Sequence, residues 1–227
     1  TARDLVLCGA SGVLLALHFL TWFESLKRTS VASSTVLVST EVIFTALGFA
    51  LFLHGKIPRL GVWAILLAFG GSALLALSGG GGAGELSGNL LALAAASAAA
   101  VYTLIGRIQR GHLSTTVYTF LTYLACFLTL LLGTAAAGGL IGLALAVLCT
   151  LLGHSLFSWC LKYLSPSYVS AAKLCEPVFS SLAAIPLFGE VPGPLQLAGG
   201  AAVLGAVLLY TWAGVKKLLP DESGRRF

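Results

Sequence analysis

Eight long apolar runs divide this chain and leave almost nothing between them. They cover roughly 5–24, 30–53, 60–78, 86–106, 115–135, 138–162, 166–188 and 194–213. A helix rises about 1.5 Å per residue, so about 20 apolar residues cross a hydrocarbon layer about 30 Å thick. The pattern predicts an all-α integral membrane protein with eight transmembrane helices. Composition agrees: 58% of the 227 residues are apolar and only 9% are charged, against about 25% charged in a soluble domain. That excludes a disordered chain, a nucleic-acid-binding domain and almost any soluble enzyme.

The connections between the runs are short and carry turn or charge signals. Examples are Lys27 to Ser30, His54 to Arg59, Gly79 to Gly84 and Gly189 to Pro194, where Gly and Pro act as punctuation. The basic residues orient the bundle. Taking alternate connections, one side holds Arg3, Lys56, Arg59, Arg107, Arg110, Lys162, Lys216, Lys217, Arg225 and Arg226, while the other holds only Lys27 and Arg28. Lys173 lies inside a span. Positive loops stay inside, so the expected location is the plasma (cell inner) membrane with both ends of this chain cytoplasmic. The first run is too long for a signal peptide and contains Trp22 and Glu24. The five cysteines form no CxxC pair and all lie in apolar runs. They read as small buried hydrophobes and not as a metal or disulfide framework.

The chain repeats itself. Segment 26–45, LKRTSVASSTVLVSTEVIFT, aligns with segment 161–180, LKYLSPSYVSAAKLCEPVFS, at a constant shift of 135. Lys27 meets Lys162, Ser30 meets Ser165, Glu41 meets Glu176 and Phe44 meets Phe179. With a one-residue slip, Gly71 to Leu75 aligns with Gly205 to Leu209. The copies are five spans apart, an odd number, so the second is inverted in the membrane. Inverted repeats mark secondary transporters, with a site near the midplane where the repeats meet. The expected division is a partial first repeat at 1–78 with three spans, a Gly-rich connection at 79–85, a complete five-span repeat at 86–213 and a polar cytoplasmic tail at 214–227. Two leading helices would complete the first copy. This predicts a ten-helix protein whose first two spans are missing here, or else a naturally shortened eight-span variant.

The stretches HFLTWFESLKRTSVASSTVLVS (18–39), LLALAAASAAAVYTLIGRIQRGHLS (90–114), LLGHSLFSWCLKYLS (151–165) and EPVFSSLAAIPLFGE (176–190) resemble the EamA-like family of the drug/metabolite transporter superfamily. The resemblance runs from about residue 10 to 213. It implies that the eight helices match helices 3–10 of a ten-helix inverted 5+5 fold. That fold moves small metabolites, amino acids or drug-like solutes by alternating access. Lys173 and Val42 depart from the expected pattern, since the second copy has Pro177 where the first has Val42.

Charge within a membrane costs about 2.5–3.5 kcal/mol per residue on insertion scales, so each such residue needs a partner or a task. Glu41 and Glu176 sit at matching depths, about 15 Å into their spans. Lys173 precedes Glu176 by three residues on one helix face. Two carboxylates against one lysine leave one over, and a carboxylate in apolar surroundings can exchange protons near neutrality. Glu41 is the proton candidate, because Val38 stands where the other copy has Lys173. Lys173 is read as a ligand for an anionic group, and Glu176 as its partner or an amine ligand. A self-neutralising Lys173–Glu176 pair is the structural alternative. His18 and His154 are candidate proton relays or solute ligands, or else hydrogen-bonded structural residues. Trp22, Trp159 and Tyr102 are candidates to line the solute path, with packing between helices as the alternative. Membrane lipid, a small-molecule solute and protons are the expected partners, a homodimer is a further option, and no nucleic acid, metal or cofactor is expected. The competing functions are a non-transporting bundle that needs a partner, and an intramembrane enzyme using His154 or Glu176. No HExxH, paired-Asp or GxSxG motif supports the enzyme.

Overall fold

The computed structural model describes residues 1–54, 57, 59–78, 83–136 and 175–218. The elements among them are helices: α1 (Ala2–Leu26), α2 (Val31–Val38), α3 (Glu41–Phe52), α4 (Arg59–Ser78), α5 (Ala83–Gln109), α6 (Thr115–Ala136), α7 (Cys175–Phe188) and α8 (Pro194–Leu218). The expected span 138–162 and the residues His154, Trp159 and Lys173 lie outside the described residues. Five stretches are long and apolar enough to cross a membrane: Ala2–Leu26, Val31–Phe52, Gly84–Gln109, Thr115–Gly133 and Pro194–Ala213. The second of these is α2 and α3 taken together. Large apolar side chains such as Leu66, Phe120, Leu132, Phe179 and Leu187 are exposed. Such a surface would drive aggregation in water, but hydrocarbon solvates it.

Helices gain little from the hydrophobic effect in lipid, so close packing and interhelical hydrogen bonds must hold them. α2 shows the consequence. Its sequence VASSTVLV is rich in small residues, and Ala32, Ser33, Ser34, Thr35, Val36 and Leu37 are buried. It touches α1, α5, α7 and α8. α1 packs on α5 and α6, through a core of Leu15, Ala16, Phe19, Tyr123, Cys126 and Leu130.

The α4–α8 contact rests on small residues. A Cβ on Gly71 would come within 2.8 Å of the Gly199 carbonyl oxygen, and one on Gly199 within 2.9 Å of the Gly71 carbonyl oxygen. The backbones therefore touch where a side chain would hold them apart. Ala64 and Ala206 are also fully buried on these helices. Under the shift of 135, the helix starts Arg59 and Pro194 correspond. So do the two residues that have left-handed backbone conformation among the described residues, His54 at φ 53° and Gly189 at φ 69°. Each ends a helix, α3 and α7 respectively.

Replacing Gly199 with Val is expected to cost about 1–3 kcal/mol through overpacking against the Gly71 carbonyl and Leu75. Thermal unfolding of the detergent-solubilised protein should show a fall of several degrees in Tm. Val at Gly205, beside which no described residue lies within 4 Å, should leave Tm nearly unchanged.

Candidate functional site

The expected span 30–53 is not one helix. It breaks between α2 and α3 at Ser39 and Thr40, although no Pro or Gly stands there. Hydroxyls make the break. Thr40 Oγ1 donates to the Leu37 carbonyl at 2.6 Å, and Ser39 Oγ to the Thr35 carbonyl at 3.0 Å. One turn earlier, Thr35 Oγ1 donates to the Val31 carbonyl at 2.7 Å. The backbone tightens at the break, with Thr40 N bonding Leu37 O at 3.1 Å and Ile43 N bonding Thr40 O at 2.8 Å. Hydroxyls that bond back to the preceding turn compete with the regular helix and bend it. Broken helices are tolerated at membrane depth where side chains satisfy the freed backbone groups.

Glu41 is the first residue of α3. It is the eleventh residue of the 22-residue stretch Val31–Phe52, which puts it at mid-depth. The positive end of the α3 dipole favours a carboxylate at this position. Glu41 is half-buried, and Thr103 Oγ1 on α5 donates to its Oε1 at 3.1 Å. Tyr102, next to Thr103, packs with Trp22 and Phe23 against the α1–α6 core. Consecutive helical residues point about 100° apart, so α5 presents Thr103 towards α3 and Tyr102 towards α1.

His18 is buried and its Nδ1 lies 3.0 Å from the Ala95 carbonyl oxygen on α5. Its ring lies 5.8 Å from that of Trp22 and 5.1 Å from that of Phe19. The carbonyl can only accept, so Nδ1 carries the proton and the ring is held in one orientation. Trp22 stacks on Phe23 at 5.9 Å. The Trp22 Nε1 donor and the Thr45 hydroxyl, one turn beyond Glu41, are buried without hydrogen-bond partners among the described residues. Buried donors without acceptors are uncommon and costly, and here they are spare capacity inside the bundle. Tyr118, also an aromatic of interest, is tied to Ser11 through its hydroxyl at 2.6 Å.

The structure therefore gathers His18, Trp22 and Tyr102 around α1 and α5, with Glu41 across α5 from them. Glu176 is separate. It lies in the first turn of α7 and is exposed. Ser180 Oγ donates to its carbonyl, and Ser181 Oγ to that of Pro177 at 2.6 Å. Thr103 was not singled out from the sequence. A threonine one residue after Tyr102 in an apolar helix gives no sign of its partner, which lies 62 positions away.

Glu190 departs from the usual fate of a loop carboxylate. A carboxylate in the connection Gly189 to Pro194 is expected to be solvated. Instead it is half-buried, and its Oε2 accepts from the Val31 backbone N–H at 2.8 Å.

A family model of the EamA-like transporter family matches residues 2–77 and 86–212. The chain belongs to this family, and with it to the drug/metabolite transporter superfamily. It is a multi-pass membrane protein of a transporter class. Among solved structures, one crystal structure of a protein matches with a TM-score of 0.56 at 18% identity. It covers 93% of this chain and 77% of that one, a likeness of fold. No curated protein matches the chain.

His18→Leu removes the donor to Ala95 O. It is expected to cost about 1 kcal/mol through loss of that hydrogen bond, since Ala95 O keeps its partner within α5. The check is a lowered Tm together with an unaltered pH profile of solute flux; a displaced pH profile would make His18 a proton relay instead.

Proposed function

We propose that this chain forms a secondary transporter that moves a small metabolite, amino acid or drug-like solute by alternating access, coupled to protons at Glu41. The observation that carries the reading is Glu41 itself, a half-buried carboxylate at a helix break in mid-span with a Thr103 hydroxyl on it. Broken helices whose ends face a midplane site are how transporters place ligand groups in a membrane. A carboxylate there is costly unless it is paired or neutralised, so a proton or a cationic group is a fitting partner for it.

The solute binds near this carboxylate, with Trp22, Tyr102 and His18 shaping its path. The partnerless Trp22 Nε1 and Thr45 hydroxyl offer it hydrogen bonds. Lys173 binds an anionic group, and Glu176 holds Lys173 or binds an amine. Eight spans arranged as three plus five inverted repeats complete the architecture. The support is the shared shift of 135 in the helix starts at Arg59 and Pro194 and in the left-handed residues His54 and Gly189. The excess of Lys and Arg places both ends in the cytoplasm.

The test uses proteoliposomes with imposed pH gradients, and ethidium and a set of radiolabelled amino acids as probes. Flux should follow the gradient in the unaltered protein. Glu41→Gln should remove the pH dependence, and Glu41→Asp should retain it in part. A Glu41→Gln protein whose flux still tracks the gradient would end the proton role.

A further inference from the structure

The end of the bundle bearing Lys27 and Arg28 is tied shut by bonds between segments far apart in the chain. Val31 N–H donates to Glu190 Oε2 at 2.8 Å. Gln196 Nε2 on the first turn of α8 donates to Ser33 Oγ at 2.7 Å and also to Ser30 Oγ. Ser30 Oγ in turn accepts from Ser33 N at 3.2 Å as the cap of α2. Beside them, Thr29 Oγ1 donates to Asn89 Oδ1 on α5 at 2.8 Å, and Ser25 and Ser34 share a hydroxyl bond at 2.9 Å. Ser25, Ser33 and Ser34 are fully buried. Lys27 and Arg28 are both held by Glu24, at 3.0 and 2.8 Å. Glu190 is thus committed to the α2 backbone, where the helix dipole adds to the hydrogen bond.

A single feature aims Glu190. Gly189 has φ 69°, a left-handed conformation that ends α7 and that side-chain-bearing residues disfavour. Its N–H bonds Ile185 O at 3.0 Å. The turn carries the next residue back over the start of α2.

The other copy's sequence offers no equivalent donors and acceptors. Under the shift of 135, Val31, Glu190 and Gln196 correspond to Pro166, Gly55 and Gly61. Proline has no N–H to donate, and glycine has no side chain to reach with. Two ends that inversion would make equivalent are therefore chemically unequal.

We propose that Glu190 and Gln196 form a one-sided latch. It holds the Lys27–Arg28 end closed at rest, and opening towards that side requires both side chains to leave the start of α2. The proposal rests on the transporter reading for its purpose, but the latch can be tested without flux. In the purified full chain carrying Ser34→Cys, modification at position 34 by a hydrophilic maleimide is followed by mass spectrometry. The fully buried position should react slowly. Adding Glu190→Gln should speed it roughly tenfold, the scale of losing one charged cap. Gln196→Ala should act in the same direction, and it serves where Glu190→Gln does not fold. Equal rates with and without the latch residues would overturn the proposal. A second protein carries Ser30→Cys with Gln196→Cys. Oxidation should stop ethidium and amino-acid flux, and reductant should restore it; flux that continues through the cross-linked form would also overturn the latch. Absence of flux in every form, with labelling still faster in Glu190→Gln, would instead count against the transporter reading and leave the latch standing.

Discussion

Unmet backbone hydrogen bonds are the constraint on which this bundle depends. Hydrocarbon offers a helix end nothing to bond, so each interruption of a span needs partners from the protein. α2 has only eight residues and two interruptions, one at each end. At its start, Ser30 serves Ser33 N and Glu190 serves Val31 N. At its finish, Ser39 and Thr40 serve the last carbonyls. The residues that make the break stable are thus part of the machinery that positions Glu41.

Close approach is the second requirement, and it follows from the first. Hydroxyls of Ser25, Ser33 and Ser34 reach neighbours only because small residues let α2 sit among α1, α5, α7 and α8. The Gly71–Gly199 contact does the same for α4 and α8. Larger apolar residues here would gain little, because lipid solvates them as well as protein does. Specific polar contacts over short distances therefore carry the specificity of the assembly.

These two demands explain how far the residues alone could be read. Apolar segments were legible because hydropathy is a local property: five described stretches are long and apolar enough to cross a membrane, and shorter apolar helices lie at Arg59–Leu75 and Glu176–Phe188. The depth of Glu41 follows from the same counting. The break before it was hidden because Ser and Thr are ambiguous. Either bonds back to its own helix or reaches across to another, and only the fold decides which. Glu190 misled for a related reason. Solvation is the common fate of a carboxylate in a Gly- and Pro-rich connection, and its partner lies 159 positions away. Two signals were available in retrospect. Gly189 before it sits where His54 stands in the other copy, and Val31 aligns with Pro166. The first suggests a sharp turn and the second suggests that the Val31 N–H has a task.

Departures from internal symmetry are where a duplicated transporter acquires direction. Two identical inverted halves would make the inward- and outward-facing states equal in energy. Any preference must come from positions where the copies differ, since an equilibrium shifts only by differential interaction. Here the differences fall in two places. Glu41 is followed by Val42 where Glu176 is followed by Pro177, so the two carboxylates precede unlike residues. Glu190 and Gln196 face Gly55 and Gly61 across the repeat, so the two ends have unlike closures. Asp4 does bond Gln109 and His112 at the opposite end, at 3.2 and 2.8 Å. These bonds join α1 to the α5–α6 corner, and leave the start of α2 as the point where a carboxylate from the α7–α8 connection decides which end is sealed.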